Sequence, residues 1–466
     1  MAILQSVNPA TDQWIASYPE LSDDAVQSLL VAADEAFGSW RRTELDHRAA
    51  RLRQTALVLR RHQADYAKLM ANEMGKPVAQ GRAEIEKCAW VCEYYADHGA
   101  RFLAPEIIAS DASKSYVAFQ PLGVVLAIMP WNFPFWQVFR FAVPALMAGN
   151  AAVLKHAANV SGCALAIESV FHQAGFPAPL FRALLMGSAR LPAIVQNPLI
   201  KAVTLTGSTP AGSQVASQAG KAIKRTVLEL GGSDPFIVMP SADLEQTAKV
   251  AAQARTINNG QSCIAAKRFI VHERIYDEFE RRFVRAMESL KVGDPLDETM
   301  QVGPLATEQI RQGVDEQVQE MLKMGARLLT GGKRLERPGF FYAPTVLADI
   351  PPGSPAQRDE IFGPVASLFR AHDLDDALRI ANDTPFGLGS SIWTNDEGEQ
   401  ARFIEEIQAG MAFVNSIVAS DPNLPFGGVK QSGYGRELSE YGIREFQNIK
   451  TVWIKDQSGQ HRAQTE

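Results

Sequence analysis

The sequence predicts an α/β protein in which two domains are each built around a largely parallel β-sheet. Its 466 residues give room for about three domains of roughly 150 residues each. From residue 124 onward, strand-like and helix-like segments alternate, which is typical of a parallel sheet of Rossmann type. A second alternating block begins near Ser233, so we expect a second α/β domain after the first.

The segment before the first block is predicted to be mainly helical. Apolar residues recur at spacings of three and four over residues 22–103, with Gly75 and Pro77 as stop signals. Residues 115–130, SYVAFQPLGVVLAIMP, are rich in valine, isoleucine and aromatic side chains, which favours a strand. A helix is predicted next, over residues 134–149.

The two blocks then alternate between strand and helix. In the first block, the predicted strands are AAVLKHA, FRALLM, AVTLTG and TVLELGG, with a helix at VSGCALAIESVFHQAG. In the second block, the predicted strands are DPFIVM, AKRFIVH, PVASLFRA and GSSIWT, with helices from Asp243, at YDEFERRFVRAME and at DLDDALRIAND. The extended segment that precedes the first block must pair with another strand.

Composition narrows the partners and the location. A net charge of -6 and a pI near 5.9 argue against nucleic acid as a main partner, and no useful run of Lys or Arg is present. The N-terminus lacks a basic segment followed by an apolar run, and no stretch of about 18 apolar residues occurs. We therefore expect a cytoplasmic protein that binds neither nucleic acid nor membrane.

The four cysteines, at positions 88, 92, 163 and 263, are too few for a disulfide framework. Cys88 and Cys92 share one face of a predicted helix, but no further ligands accompany them, so we expect packing and no metal site. Cys263 is different because it lies in the loop sequence NNGQSC, just before a predicted strand. Free cysteines usually pack in apolar interiors, whereas loops on rigid scaffolds tend to carry function.

Two further polar residues follow predicted strands. Glu229 ends the apolar strand TVLEL before two glycines, where it is either a general base or a solvated charge. Asn132 lies in a turn flanked by Pro130 and Pro134, where its amide either donates to an oxyanion or caps the following helix. Taken alone, each residue leaves both interpretations open.

Together and in this order, the motifs resemble the aldehyde dehydrogenase superfamily over nearly the whole chain. The matching segments are EMGKP (73–77), PLGVVLAIMPWNFP (121–134), ALMAGNAAVLK (145–155), LTGS (205–208), LELGGSDP (228–235), NNGQSC (258–263), EIFGPV (360–365), PFGLGSSIW (385–393) and LPFGGVKQSGYGRE (424–437). Within the superfamily, FQPLGVVLAIMPWNFPFWQVFRF and NNGQSCIAAKRFIVH resemble the bacterial succinate-semialdehyde dehydrogenase group.

This resemblance implies the aldehyde dehydrogenase fold, with a Rossmann-type cofactor domain, an α/β catalytic domain and a small β oligomerisation arm. The implied dinucleotide-binding domain comprises residues 1–113 and 127–231, and the catalytic domain comprises residues 232–433. Residues 114–126 and 434–466 then form the bridging and oligomerisation segment, whose strand edges invite pairing with another subunit. We expect a homodimer or a homotetramer, with a small aldehyde as its substrate.

The resemblance also assigns chemical roles. Cys263 is the implied nucleophile, and Glu229 is the implied general base for the hydrolytic water. The side chain of Asn132 and the backbone N–H of Cys263 would hold the oxyanion. The implied reaction is the NAD(P)-dependent oxidation of an aldehyde to a carboxylate through a cysteine thioester, with succinic semialdehyde as the expected substrate.

The implied cofactor contacts are Pro130, Trp131, Lys155, His156, Ala158, Thr206, Gly207, Ser208, Leu230, Glu360 and Phe362. The turn LTGSTPAG follows a strand and opens a helix, so its N–H groups either meet a pyrophosphate or are capped by Ser208 or Thr209. NAD-preferring members often carry a glutamate three residues after the strand lysine, where this chain has Ala158. Lys155 and His156 can assist a 2′-phosphate, so we expect NADP to be slightly favoured over NAD.

The expected substrate contacts are Trp136, Arg140, Ser262, Ser420 and Phe426. In the succinate-semialdehyde dehydrogenase group, an arginine at the place of Arg140 binds the far carboxylate, for which a guanidinium is well suited. Some members have a second arginine where this chain has Ile257, so a broader specificity is also compatible with the sequence. Ile264 follows the nucleophile, so the neighbouring-cysteine redox switch of some members is absent.

Three alternatives remain open from the sequence. The substrate could be another aldehyde, such as glutarate semialdehyde or a medium-chain aldehyde. The cysteine and glutamate could instead hydrolyse esters or thioesters without a cofactor. A non-catalytic protein on this fold is the third alternative, and the presence of Cys263, Glu229 and Asn132 argues against it.

Overall fold

The computed structural model describes residues 3–456 as an α/β protein with four β-sheets. The strands are β1 Ile3–Asn8, β2 Gln13–Pro19, β3 Glu106–Ile107, β4 Lys114–Pro121, β5 Val124–Met129, β6 Ala151–His156, β7 Phe181–Ala183, β8 Ile200–Thr206, β9 Arg225–Glu229, β10 Asp234–Val238, β11 Ala266–His272, β12 Arg327–Thr330, β13 Thr345–Ala348, β14 Val365–Ala371, β15 Ser391–Trp393, β16 Phe413–Val414, β17 Gly433–Tyr434 and β18 Gln447–Ile454.

The helices lie between and around these strands. They are α1 Asp23–Trp40, α2 Leu45–Arg61, α3 Gln63–Met74, α4 Val78–Phe102, α5 Trp136–Met147, α6 Ser161–Gln173, α7 Leu191–Gln196, α8 Thr209–Lys221, α9 Leu244–Thr256, α10 Glu273–Glu288, α11 Glu308–Met324, α12 Pro355–Arg358, α13 Leu374–Asn382, α14 Glu397–Glu406 and α15 Ser439–Arg444. Short 3-10 helices occupy Ala158–Val160, Ala178–Leu180, Ser188–Arg190, Ile257–Gly260 and Lys430–Ser432.

The first sheet has six strands in the order β17-β9-β8-β5-β6-β7. All neighbours run parallel except β17 and β9. Every residue of β5 and β6 is buried, as expected for a parallel sheet covered by helices on both faces. The first sheet confirms the predicted Rossmann-type organisation.

The second sheet has seven strands in the order β12-β13-β14-β11-β10-β15-β16. Only the β12–β13 pair is antiparallel among these neighbours. Helix α9 begins where the sequence predicts it, because the Asp243 carboxylate accepts the N–H groups of Glu245 and Gln246. The second α/β domain predicted from the alternation is therefore confirmed.

The third sheet is antiparallel, in the order β18-β4-β3, and its longest pairing joins Gln447 to Pro121 at one end. The strand conformation predicted over residues 115–130 is confirmed, and it is divided into β4 and β5, which belong to different sheets. Gly123 lies between them with φ of +139°, a conformation that side chains rarely adopt, and the chain turns there. Strand β5 starts three residues before the expected domain boundary at residue 127.

The ends of the expected domains, residues 1–2 and 457–466, lie outside the described residues. A fourth sheet, the hairpin β1–β2, was not predicted. Its Ser6 is buried and donates to the Glu73 carboxylate at 2.7 Å, a contact 67 residues away that local periodicity does not reveal. Between residues 3 and 456, no helix combines the length and the apolar character needed to cross a bilayer.

Candidate active site

Cys263 lies in a tight loop between α9 and β11. Asn258, Asn259 and Gly260 in this loop have φ values of +53°, +61° and +77°. Asparagine and glycine adopt this left-handed conformation more readily than other residues do. A Cβ at Gly260 would also collide with the main chain of Gly363. The NNG sequence is therefore what allows the turn that presents Cys263.

The two asparagine side chains fasten this loop to the rest of the protein. The amide of Asn259 donates to the carbonyls of Gly75 at 2.8 Å and Pro304 at 2.9 Å. The amide of Asn258 donates to the carbonyl of Asn132 at 2.7 Å. Residues 257–265, called the nucleophile loop here because they contain Cys263, the expected nucleophile, are therefore placed against the turns that contain Gly75 and Asn132.

Lys267 holds the same loop from the interior and was not predicted. Its side chain is buried, and its ammonium donates to the carbonyls of Ser262 at 2.9 Å, Cys263 at 2.8 Å and Ala265 at 3.0 Å. The carboxylate of Glu360 lies 3.5 Å away. Burial lowers the pKa of Lys267, while Glu360 raises it. The only sequence signal was a lysine near the start of the predicted strand AKRFIVH.

Asn132 is buried in the turn between β5 and α5, and its amide is held at both ends. Its Nδ2 donates to the carbonyl of Gln261 at 3.0 Å, and its Oδ1 accepts from Gln137 at 3.0 Å. It does not cap α5, because the first N–H groups of that helix donate to the Glu84 carboxylate. The structure therefore brings Asn132 to the nucleophile loop with its donor facing that loop.

Glu229 is the last residue of β9 and is 2% exposed. Among residues 3–456, neither of its carboxylate oxygens has a hydrogen-bond donor. Burial and the nearby Glu437 raise the pKa of Glu229 well above its ordinary value, while Arg140 opposes them. Its segment packs on the nucleophile loop, since a Cβ on Gly232 would lie 2.7 Å from the carbonyl oxygen of Cys263. This carboxylate is free to take up a proton.

The surroundings of the Cys263 thiol favour its protonated form. Burial, and then Glu360, raise its pKa to about 12, while Arg140 and Lys267 act in the opposite direction. Because the thiolate is the nucleophilic form of cysteine, the thiol has to transfer its proton to a base before it can attack a carbonyl.

A cavity of about 730 Å³ reaches Cys263. It is lined by all five expected substrate residues, Trp136, Arg140, Ser262, Ser420 and Phe426. Ile257 also lines it, so the place of the second arginine of some relatives is apolar here. Lys87 also lines the cavity, although it was not predicted as a substrate contact.

Arg140 lines this cavity from α5, but its charge also faces a carboxylate of the chain. Its guanidinium pairs with Glu437, which is likewise buried, and lies 4.3 Å from the ring centroid of Phe426. It donates weakly to the Thr206 hydroxyl at 3.5 Å. Glu437 was not predicted as a site residue, because it is far from Arg140 along the chain.

The expected adenosine end of the cofactor site lies after β6. The ammonium of Lys155 donates to Ser188 at 3.1 Å and pairs with no carboxylate in the described part of the chain. Ala158 is exposed in the following 3-10 helix, so its position carries no carboxylate to repel a 2′-phosphate. A lysine without an ion-pair partner and a small neutral residue fit an NADP ribose.

His156 does not assist a phosphate in the way we expected. Its ring is buried, and its two nitrogens lie 3.1 Å and 3.0 Å from main-chain carbonyls of Met129 and Pro134. Burial lowers its pKa to about 4, so the ring is neutral at physiological pH. Its side chain therefore joins the β5–α5 turn to β6 and offers no positive charge to a ligand.

The turn between β8 and α8 is shaped for close approach of a ligand. Ser208 caps α8 by accepting the N–H of Ala211 at 3.4 Å, and a Cβ at Gly207 would be in ordinary contact with the Leu205 side chain at 3.6 Å. Leu230 packs against Gly212 on the first turn of the same helix. The glycine turn and the helix N-terminus fit a pyrophosphate.

The remaining expected cofactor residues lie in two connecting segments. Pro130 and Trp131 follow β5 of the first sheet, and Glu360 and Phe362 precede β14 of the second sheet. Phe362 contacts Trp131, next to Pro130, with ring centroids 5.7 Å apart. Glu360 accepts the N–H of Gly232 at 3.0 Å, close to the strand end that carries Glu229. The structure thus brings these predicted cofactor residues to the same region as the nucleophile loop.

Among residues 3–456, no group of three or more His, Cys, Asp and Glu side chains is arranged to hold a metal ion. Cys88 and Cys92 are buried within the helical core, and burial raises the pKa of both thiols well above the ordinary value. They pack as the sequence predicted.

Comparison with known proteins decides the family. The aldehyde dehydrogenase family profile matches residues 2–452. This chain belongs to the aldehyde dehydrogenase family. A Synechocystis sp. aldehyde dehydrogenase, named probable succinate-semialdehyde dehydrogenase (NADP(+)), is 51% identical over 97% of this chain and 99% of its own length. A Mycobacterium bovis member, succinate-semialdehyde dehydrogenase (NADP(+)) 1, is 52% identical over the same shares.

Solved structures of the family agree with this fold. The crystal structure of succinic semialdehyde dehydrogenase from Streptococcus pyogenes, in complex with NADP+, is 36% identical to this aldehyde dehydrogenase. It superposes with a TM-score of 0.95 over 97% of this chain and 100% of that chain. The aldehyde dehydrogenase fold expected from the sequence is confirmed.

Proposed function

We propose that this aldehyde dehydrogenase oxidises succinic semialdehyde to succinate with NADP+. The observation that carries the proposal is that Cys263 and Arg140 line the same cavity. A thiol and a guanidinium in one cavity suit a substrate with an aldehyde at one end and a carboxylate at the other. The names of the Synechocystis and Mycobacterium relatives and the Streptococcus structure support the same substrate and cofactor.

Cys263 begins the reaction by attacking the aldehyde carbon. Because burial raises the pKa of its thiol to about 12, we assign Glu229 as the base that takes the proton. A C–S bond forms while the carbonyl π bond opens, and negative charge develops on the carbonyl oxygen. The Asn132 amide and the Cys263 N–H donate to that oxygen, and one such donor contributes about 100-fold to 1,000-fold in rate.

A thioester is the product of this half of the reaction. The nicotinamide, when bound, supplies the hydride acceptor. Glu229 releases to solvent the proton that it took from Cys263 and then removes a proton from water, whose oxygen attacks the thioester carbon. The C–S bond breaks as Glu229 returns this second proton to the Cys263 sulfur. The burial of Glu229 suits this cycle, because the raised pKa favours a carboxyl that gains and loses a proton in each turnover.

The preference for NADP+ rests on the end of β6. Lys155 presents an ammonium, and Ala158 supplies no carboxylate against a 2′-phosphate. His156 takes no part because its buried ring is neutral. Lys155 is thus the residue to which we assign the 2′-phosphate contact.

Self-association is proposed through the third sheet. Strand β18 forms an outer edge of that sheet, and Ile449 and Trp453 on it are 57% and 49% exposed. Exposed strand edges with apolar side chains readily pair with another chain. We infer a homodimer or a homotetramer, which sedimentation of the purified protein would distinguish from a monomer.

Steady-state kinetics test the proposed reaction. We expect the highest kcat/KM with succinic semialdehyde and NADP+, compared with propanal and with NAD+. Arg140→Ala should raise the KM for succinic semialdehyde by roughly tenfold or more, the effect of losing one charge-assisted hydrogen bond. The matched control is Arg53→Ala, which removes an exposed arginine of α2 that pairs with Asp97. Equal rates on propanal, or an unchanged KM in Arg140→Ala, would contradict the proposal.

A further inference from the structure

Three cations line the cavity that reaches Cys263, and they differ in what faces them. Arg140 pairs with the buried carboxylate of Glu437. Lys249 pairs with Glu245 at 2.9 Å on the exposed face of α9. Lys87 donates to the Ser420 hydroxyl at 2.7 Å, and within the described chain it has no carboxylate at ion-pair distance. The positive charge that the protein leaves uncompensated in this cavity is therefore that of Lys87.

The nearest carboxylates are unavailable to Lys87 because each has other donors. Glu84, one turn earlier on α4, pairs with the buried ammonium of Lys76 and accepts two N–H groups at the start of α5. Asp421, next to Ser420, accepts the N–H and the side-chain amide of Asn423, both at 2.8 Å. Neither carboxylate is therefore available to pair with Lys87, and a bound ligand has to supply the counter-ion.

The ammonium of Lys87 is also held in a position to bind an anion. Its nitrogen lies 4.7 Å from the ring centroid of Trp136, a cation–π contact that steadies a partly desolvated ammonium. Two of its three hydrogens are not used by Ser420. The Ser420 hydroxyl accepts from Lys87 and keeps its own proton to donate, so the pair offers a carboxylate two kinds of donor.

We propose that Lys87, together with Ser420, binds the carboxylate of the substrate and shares with Arg140 the selection of an anionic aldehyde. The inference rests on the proposed function. It also accounts for the apolar Ile257, since the second cation of the site reaches the cavity from α4. Among the described residues that line this cavity, Lys87 then carries the positive charge that no carboxylate neutralises, because Arg140 is paired with Glu437.

A pH dependence follows from the surroundings of Lys87. Burial and the charge of Arg140 lower its pKa to about 8, while Cys88, Asp421 and Glu84 raise it. An ammonium attracts a carboxylate only while it is protonated. Selectivity for an anionic aldehyde over a neutral one should therefore be full below about pH 8 and decline above it.

The test compares kcat/KM for succinic semialdehyde with kcat/KM for butanal, a neutral aldehyde with the same number of carbons. The ratio cancels the ionisations of Cys263 and Glu229, which both substrates share. It is measured across pH for the wild type, Lys87→Met and Lys87→Arg, with Lys68→Met as the control. Lys68 is an exposed lysine of α3 away from the cavity, so its variant removes the same charge elsewhere.

Lys87→Met should lower the ratio by roughly tenfold or more and abolish its decline above about pH 8. Lys87→Arg should keep the ratio high at pH values where the wild type declines, because an arginine stays charged. If Lys87→Met keeps the wild-type ratio, or if its ratio still declines above about pH 8, the inference about Lys87 is wrong and the proposed function stands. A wild type with no preference for succinic semialdehyde overturns the proposed function and the inference with it. If Lys87→Met does not fold, the inference is tested by comparing how the kcat/KM ratio depends on pH in the wild type and in Lys87→Arg.

Discussion

Replacing Lys267 by methionine tests whether the nucleophile loop depends on the ammonium beneath it. The change keeps an apolar stem of similar length and removes the donor to the carbonyls of Ser262, Cys263 and Ala265. It also removes the cation that lies 3.5 Å from Glu360. The backbone N–H of Cys263, which we assign to the oxyanion, sits in this same stretch of chain.

The size of the effect follows from those contacts. Three charge-assisted hydrogen bonds at about 1.5–3 kcal/mol each give a gross loss of about 5–9 kcal/mol. The variant no longer has to bury an ammonium, and this offsets several kcal/mol of the loss. The net loss in the free energy of unfolding should therefore be about 2–4 kcal/mol. A shift of about 1 Å in the loop would cost up to about 100-fold in rate, so kcat should fall by about 10-fold to 100-fold.

The assay is thermal unfolding together with steady-state kcat, with Lys224→Met as the matched control. Lys224 also donates to two main-chain carbonyls, of Val195 at 2.7 Å and Asn197 at 2.5 Å, but it lies outside the cavity. The control should lose stability and keep its kcat. If Lys267→Met behaves like the control, with lowered stability and an unchanged kcat, the reasoning about the loop is refuted.

Two further predictions concern the turn after β5. Asn132→Ala should lower kcat by about 100-fold through loss of an oxyanion donor, while KM changes little; a rate within twofold of the wild type would contradict the role. His156→Gln should change acid stability: the lowered folded-state pKa means that the wild type loses stability as pH falls from about 6.5 towards about 4. Thermal unfolding across that window should show a flatter pH dependence in His156→Gln, and an unaltered slope would show that another group is responsible.

A large part of the fold could be predicted from local sequence patterns. The alternation of strands and helices predicted both sheets, because periodicity reports burial within one element. The NNG turn before Cys263 was readable because asparagine and glycine tolerate left-handed backbone. The turn at Gly123 was harder to predict, because β-forming residues lie on both sides of it and its positive φ is seen only in the structure.

The charges of the site were less readable, because each depends on partners far along the chain. Arg140 was predicted from its position, but its pairing with Glu437 required the fold to bring the two together. His156 looked like a charge beside Lys155, yet burial makes it neutral. Lys87 lies next to Glu86 in α4 and Lys267 next to Arg268 in β11, and their positions in the sequence give no sign of which cavity or loop each lysine faces.

The most direct test of the mechanism is to trap the thioester. Glu229→Gln lacks the base assigned to both steps: attack by the small thiolate fraction of Cys263 forms the thioester slowly, and hydrolysis of that thioester is blocked. Prolonged incubation with NADP+ and succinic semialdehyde should therefore give a first hydride transfer that is slower than in the wild type, and the reaction should stop there. Peptide mass spectrometry should then find a succinyl group on Cys263, with NADPH formed in no more than equal amount. Continued NADPH formation without an adduct, or an adduct on another residue, would contradict Cys263 as the nucleophile and Glu229 as the hydrolytic base.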